Sequence, residues 1–187
     1  MIDHPQLTSG PARKIKVLHI IKSLVLGGAE TNLRNLIQAT DPQRIDMHVA
    51  YSVGGPFEES FRQRGVSLYK YAERNHKVKS LATIGIILKL AFYIRKHRIQ
   101  VVHTHNYSGH VWGALAAKLA GAKILEHTHD FRFEEPDYNS SRGINPTQFR
   151  FIRYTTPLSD RIVVLTRNNL NFLMKHQLVP LQKVEVI

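Results

Sequence analysis

The stretch Ile15-Lys16-Val17-Leu18-His19-Ile20-Ile21, followed after five residues by Gly27-Gly28-Ala29-Glu30, decides the fold of this chain. Its first run is β-branched and mostly apolar, which is typical of a strand buried on both faces of a parallel sheet. From Gly28 to Thr40, apolar residues recur at helical spacing, and Asp41-Pro42 ends the segment. The stretch therefore predicts a strand, a glycine turn and a helix, in that order.

The same alternation continues along the chain. Further strands are predicted at Met47–Ser52, Val66–Tyr71, Val101–Thr104, Lys123–Thr128, Ile162–Leu165 and Val184–Ile187, and helices at Phe57–Gln63, Ser80–His97 and Gly109–Ala120. Strands separated by helices indicate a parallel sheet with right-handed crossovers and helices on both faces. We therefore expect a Rossmann-like α/β domain that binds its ligands at the carboxyl ends of the strands.

This domain is predicted to occupy residues 14–187. Residues 1–13 are expected to form a flexible N-terminal arm, because they contain Pro5, Gly10 and Pro11 and lack the apolar run of a signal peptide. The segment Asp130–Pro157 interrupts the alternation, and we interpret it as a long loop with a short helix near Thr147–Tyr154. Long loops in compact domains are usually functional or mobile.

Composition excludes some kinds of site and favours some partners. The chain has 187 residues and no cysteine, so it can hold neither a disulfide nor a thiolate zinc site, and the reducing cytoplasm is its expected location. Its formal net charge of +12 predicts attraction to nucleic acid, to an anionic membrane or to phosphorylated small molecules. The charge is concentrated between Lys70 and Arg98, where eight Lys or Arg residues face one acid, Glu73.

The paired glycines Gly27 and Gly28 form half of a candidate phosphate site. Glycine lets the backbone approach an anion closely, and the amides at the start of the following helix attract a phosphate. The pattern is neither a dinucleotide fingerprint nor a Walker A loop. A tight turn without a ligand is the alternative interpretation.

Two histidine pairs stand at predicted strand ends, in His103-Thr104-His105 and in His127-Thr128-His129-Asp130. Residues i and i+2 of a strand face the same side, so each pair presents two imidazoles to one cleft. That arrangement suits a metal or an acid/base site. Hydrogen-bonded histidines without a metal are the favoured interpretation, because no clear set of carboxylate ligands accompanies them.

The predicted helix Ser80–His97 is amphipathic and flanked by basic residues. It is too short and, through Lys89, too interrupted to span a bilayer. Such a helix can lie on an anionic membrane surface. The favoured alternative is an ordinary crossover helix that packs its apolar face on the sheet.

Four segments together resemble a known family. They are Gly27-Gly28-Ala29-Glu30, His103-Thr104-His105, Glu126-His127-Thr128-His129-Asp130 and Ser159-Asp160-Arg161-Ile162-Val163-Val164-Leu165-Thr166. Their order and spacing resemble the N-terminal domain of the family 4 retaining glycosyltransferases, which have the GT-B fold. The resemblance runs from about Lys14 to Ile187.

The resemblance implies an acceptor-side Rossmann-like domain that faces a second domain holding a sugar nucleotide. It implies that the turn at Gly27, Gly28 and Glu30 approaches the donor diphosphate, and that His129 borders the reacting sugar as the catalytic residue, with His127 in reserve. Transfer without a metal or other cofactor is expected. The remaining residues expected to contact the acceptor or to line the cleft are His105, Asn106, His127, Asp130 and Thr166.

The sequence departs from the family pattern at its end, Lys183–Ile187, where family members continue into a second domain. We therefore expect the donor domain to be absent from this chain and to be supplied in cis or in trans, and the chain alone to show little turnover. The implied function is transfer of a hexose from a nucleoside diphosphate sugar to a saccharide or lipid-linked acceptor, in cell-surface polysaccharide assembly. Such a protein would be cytoplasmic, with peripheral contact to the inner face of the plasma membrane.

Two other functions are compatible with parts of the sequence. One is a metal-dependent hydrolase that uses the two histidine pairs. The other is a non-catalytic basic binding domain. Nucleic acid is not an expected partner, because the basic stretch lacks interleaved aromatic residues for base stacking.

Overall fold

The computed structural model describes residues 13–73, 78, 82–129 and 146–187. Its seven strands are β1 (Ile15–Ile20), β2 (Ile45–Tyr51), β3 (Ser67–Lys70), β4 (Val101–His105), β5 (Lys123–Thr128), β6 (Arg161–Val164) and β7 (Val184–Val186). The helices of the described residues are α1 (Gly28–Ala39), α2 (Phe57–Gln63), α3 (Ala82–His97), α4 (Asn106–Ala120), α5 (Pro146–Thr155) and α6 (Arg167–Lys175). Short 3-10 turns follow α5 and precede β7.

All seven strands form one parallel sheet in the order β3-β2-β1-β4-β5-β6-β7. The order reverses between β1 and β4, which are neighbours in the sheet but not in the chain. This is the arrangement in which α/β proteins bind ligands outside the carboxyl ends of the strands. The predicted Rossmann-like fold is confirmed.

Helices cover both faces of this sheet, as predicted. One core packs Leu33 of α1 and Phe61 of α2 against Val49 of β2. A second core packs α3 and α4, including Leu90 and Trp112, against β1, β4 and β5. A third packs α5 and α6 against β6. Neighbouring strand residues such as Val49 and Ala50 enter different cores, because successive side chains of a strand face opposite sides.

The structure differs from the predicted elements mainly around α4 and α6. Helix α4 begins at Asn106, three residues before the predicted Gly109. Helix α6 was not predicted at all, although Phe172 and Leu173 are buried. The predicted helix near Thr147–Tyr154 is present as α5.

Some predictions fall on residues outside the described set. These are the N-terminal arm up to residue 12, the first residues of the predicted helix Ser80–His97, and residues 130–145 of the long loop, which include the predicted site residue Asp130. Within the described residues, no helix has both the length and the apolar character needed to cross a bilayer.

Candidate functional site

The carboxyl edge of the sheet carries the glycine turn between β1 and α1. Helix α1 starts at Gly28, with Gly27 in extended conformation before it and with the amide of Thr31 donating to the Gly27 carbonyl at 2.9 Å. Glu30, in the first turn of α1, is buried and accepts a hydrogen bond of 3.0 Å from the Ser23 hydroxyl. A carboxylate at this position also complements the positive end of the helix dipole.

The two glycines of this turn serve different purposes. A Cβ atom on Gly27 would lie 2.4 Å from Glu30 Oε2, so Gly27 makes room for the buried carboxylate. A Cβ on Gly28 would meet nothing within 4 Å. Gly28 therefore borders open space at the start of α1.

Beside the turn, the ends of β1, β4 and β5 bring together five imidazoles, which we call the five-histidine cluster: His19, His103, His105, His127 and His129. The strand register explains the grouping. His19 is paired with His103, and His105 with His127, and residues paired in a parallel ladder face the same side. His129, two residues beyond His127, extends the same face past the end of β5.

His105 lies at the centre of the cluster. Its Nε2 is 3.1 Å from His19 Nδ1, and its Nδ1 is 2.9 Å from His129 Nε2. A neutral imidazole has one donor and one acceptor nitrogen. His105 therefore donates to one of these neighbours and accepts from the other, which orders the three rings into one hydrogen-bonded chain from the buried His19 to the edge residue His129.

Burial keeps the cluster uncharged at neutral pH. It lowers the pKa of His127 and of His129 to about 4, with the neighbouring His129 contributing to the shift at His127. Burial, with a smaller effect of His127, lowers the pKa of His19 to about 3. At His103 and His105, burial and the surrounding histidines hold the pKa well below its usual value. The rings therefore present lone pairs and N–H donors at pH 7.

A second polar group lies on the opposite face of β5, around the buried carboxylate of Glu126. Glu126 accepts hydrogen bonds from Thr156 at 3.2 Å and from Ser159 at 3.0 Å, and its Oε2 is 3.4 Å from His110 Nε2. The two hydrogen bonds join β5 to the turn before β6, and the contact with His110 lies between β5 and α4. Sequence reasoning placed Glu126 only within a motif and did not identify this anchoring role.

The other predicted site residues have clear structural positions. Asn106 is the first residue of α4 and has a left-handed backbone, with φ of 60°. Thr166 caps α6 by accepting a hydrogen bond of 3.1 Å from the Asn169 amide. Both residues lie at strand ends on the predicted edge. Sequence reasoning missed His19 of the cluster, whose place depends on the register of β1 against β4.

The chain matches known proteins over most of its length. The family model described as Glycosyltransferase Family 4 matches residues 26–187. An Escherichia coli protein named UDP-Gal:alpha-D-GlcNAc-diphosphoundecaprenol alpha-1,3-galactosyltransferase is 20% identical over 176 residues, which cover 93% of this chain and 44% of that protein.

Solved structures give the same picture of the fold. Anabaena Alr3699/HepE in complex with UDP and glucose superposes with a TM-score of 0.71 at 18% identity, over 92% of this chain and 44% of that one. A glycosyltransferase from Rickettsia africae superposes with a TM-score of 0.69 at 16% identity, over 93% of this chain and 42% of that one. The chain thus spans less than half the length of these relatives.

Proposed function

The chain belongs to glycosyltransferase family 4, and from that membership we propose that it is the acceptor-side domain of a retaining transferase. The transferred group is a hexose from a nucleoside diphosphate sugar, and the acceptor is a saccharide or a lipid-linked saccharide. The observation that carries this proposal is the family match over residues 26–187. The glycine turn and the five-histidine cluster support it, because both lie at the carboxyl edge where α/β folds bind ligands.

The relatives favour a uridine diphosphate donor. The Escherichia coli relative is named for transfer from UDP-Gal to a GlcNAc-diphosphoundecaprenol, and the Anabaena structure holds UDP and glucose. We therefore propose UDP-galactose or UDP-glucose as the first donors to test. A lipid-linked diphosphate saccharide is the matching acceptor, and assembly of a cell-surface polysaccharide is the setting.

The roles of individual residues follow from their positions. Gly28 leaves the amides at the start of α1 accessible, so it is assigned to the donor diphosphate, with Gly27 and Glu30 holding the shape of the turn. His129, part-buried at the end of β5, is assigned to the reacting sugar, with His127 beside it. His105, Asn106 and Thr166 border the same edge, where they are assigned to the acceptor side; Asp130 keeps the same assignment from the sequence alone.

A second domain is needed for the full reaction. Relatives of this chain are more than twice as long as the part that it matches, so we propose that a donor-binding domain acts with residues 14–187, in cis or in trans. The apolar side chains of Val25 and Leu26 beside the glycine turn are exposed and suit contact with such a domain.

Peripheral contact with an anionic membrane is proposed through α3. Ile84, Leu88 and Phe92 lie one turn apart on this helix with exposed fractions of 66%, 57% and 68%. Lys89 and Lys96 are exposed on the same helix, so an apolar stripe and positive charge occur together. This combination fits a surface that carries anionic lipid headgroups around apolar chains.

Vesicle binding tests the membrane contact. Replacing Phe92→Ser should reduce sedimentation with vesicles that contain phosphatidylglycerol, whereas Met174→Ser, at another exposed apolar position on α6, should not. Equal loss in both variants, or binding that does not depend on anionic lipid, would contradict the assignment.

Activity of an assembled enzyme tests the main proposal. The chain is combined with a donor domain, by fusion or co-expression, and UDP release is measured with UDP-galactose and with UDP-glucose in the presence of a lipid-linked GlcNAc acceptor. His129→Ala should abolish most of the turnover, and the exposed His176→Ala should leave it unchanged. Absence of turnover with all donors in a folded, assembled protein would refute the proposal.

A further inference from the structure

The five-histidine cluster contains two groups of three side chains whose ligand atoms lie within 4.8 Å of one another. One group is His19, His103 and His105, and the other is His105, His127 and His129. We propose that His105, His127 and His129 form a binding site for one divalent transition metal ion, such as Zn²⁺ or Co²⁺. This inference does not rest on the proposed transferase function, because it uses only the geometry of the imidazoles.

The nitrogen spacing is close to that of ligands on one ion. His105 Nδ1 and His129 Nε2 are 2.9 Å apart. Two imidazole nitrogens bound tetrahedrally to zinc at about 2.0–2.1 Å are roughly 3.3 Å apart, so small movements of the two rings admit an ion. His127 stacks on His129 with ring centroids 3.9 Å apart, which places the third imidazole within reach.

The remaining nitrogens also fit a metal site. When His105 binds a metal through Nδ1, its Nε2 must carry the proton, and this atom lies 3.1 Å from His19 Nδ1, which then accepts the hydrogen bond. A bond from the second ring nitrogen is the usual way in which proteins orient a metal-bound histidine. His127 Nε2 is buried and makes no hydrogen bond with the described residues, so it has an unused lone pair or proton.

Solvent access favours the group that contains His129 over the group that contains His19. His19, His103 and His105 are all buried, whereas His129 is part-buried at the edge of the sheet. Among the ligands of the two groups, His129 is the one that is not fully buried. Three imidazoles leave at least one coordination position for water or for an oxygen of a bound ligand, as in zinc sites that keep an open position.

Three imidazole ligands restrict which metal ions the site can bind. Imidazole suits zinc, cobalt, nickel and copper, whereas magnesium and calcium prefer oxygen ligands. Glu126 is adjacent in sequence but points to the opposite face of β5, toward Thr156 and Ser159. The site is therefore expected to bind Zn²⁺ or Co²⁺ and to show no affinity for Mg²⁺.

Titration of the full chain, prepared without a polyhistidine tag and freed of metal by a chelator, tests the site. Co²⁺ should bind with one equivalent and give the visible absorption of a four-coordinate ion, and Zn²⁺ should displace it. His129→Gln and His127→Gln should each abolish this absorption. His19→Phe, which removes the partner of His105, should weaken affinity about 10- to 100-fold.

Two further variants serve as controls for the Co²⁺ titration. His176→Gln, at the exposed position that follows α6, should bind Co²⁺ as the unaltered chain does. His103→Gln should also keep the site, because His103 belongs only to the other group. Loss in His103→Gln together with retention in His129→Gln would overturn the assignment.

A measurement on the unaltered chain keeps the test valid where a variant fails to fold. Imidazole carbon and proton NMR signals should shift on addition of one equivalent of Zn²⁺, with the shifts concentrated on His105, His127 and His129. Absence of stoichiometric binding, or shifts confined to His19 and His103, would refute the proposal.

Discussion

Removal of the Glu126 carboxylate is expected to destabilise the domain without touching the glycine turn. Glu126 is 3% exposed and accepts hydrogen bonds from Thr156 at 3.2 Å and from Ser159 at 3.0 Å. Both hydroxyls are themselves buried, so water cannot replace the lost acceptor in Glu126→Ala. The turn that leads into β6 therefore loses two of its hydrogen bonds to β5, whereas the bonds between Asp160 and Ile124 remain.

The expected loss in the free energy of unfolding follows from the two hydroxyl donors, of Thr156 and Ser159, that lose their acceptor. A buried hydrogen-bonding group that loses its partner costs about 1–3 kcal/mol. A hydroxyl can rotate toward another acceptor, so we take the lower part of this range for each and expect a loss of about 2–4 kcal/mol in the free energy of unfolding. Typical domains have about 5–15 kcal/mol in total, so the variant should fold but unfold at clearly lower denaturant concentration.

Equilibrium unfolding in urea at pH 7 measures this loss, and a double-mutant cycle tests its cause. Ser159→Ala should cost about 1 kcal/mol in the unaltered chain and almost nothing in Glu126→Ala, because its acceptor is already gone. Glu185→Ala, at an exposed glutamate on β7, should change stability by less than about 0.5 kcal/mol. Additive costs of Glu126→Ala and Ser159→Ala would refute the reasoning.

Other perturbations should separate stability from binding. With EDTA present, the free energy of unfolding should fall as pH drops from about 6.5 toward 4, because histidines such as His127 and His129 stay neutral in the folded chain to pH about 4 and take up protons earlier when unfolded. Their contribution is complete above pH 6.5, so a flat urea-unfolding profile between pH 7 and 5 would contradict the assignment. Gly27→Ala should lower stability by about 1 kcal/mol by displacing the Glu30 carboxylate, measured by urea unfolding. Gly28→Ala should leave stability unchanged and instead raise the KM for the donor in the assembled enzyme, and equal effects at both glycines would count against their different roles. Thr166→Ala should cost about 1 kcal/mol through loss of the α6 cap, and an unchanged melting curve would show that the cap contributes nothing.

The alternation of strands and helices could be predicted because each strand is a short apolar run between turn signals. The parallel sheet and its two covered faces followed from that alternation and are confirmed. The start of α4 was predicted too late because Asn106 has a left-handed backbone that propensity does not reveal. Helix α6 was missed because it has only nine residues and begins with three polar ones, so its apolar residues do not repeat over several turns.

The candidate site could be predicted only in part. Alternation within one strand is local, so the pairs His103 with His105 and His127 with His129 could be placed on one side of the sheet from sequence. The contact of His19 with His105 depends on the register between β1 and β4, which are separated in the chain by β2, β3 and three helices. No local pattern encodes such a register.

Strand β5 carries residues of the five-histidine cluster on one face and a stabilising hydrogen-bonded carboxylate on the other. Glu126 and His127 are neighbours, and they point to opposite sides: Glu126 toward α4 and the turn before β6, His127 toward the five-histidine cluster. The hydrogen bonds of Glu126 therefore fix the position of the strand that presents His127 and His129. Glu126 itself faces away from the cluster and acts only on the position of the strand. Glu126→Gln, which retains one acceptor oxygen, should therefore keep more of the stability and more of the Co²⁺ affinity than Glu126→Ala. Loss of Co²⁺ binding in a Glu126→Gln chain of full stability would instead show that the charge of the carboxylate acts across the sheet.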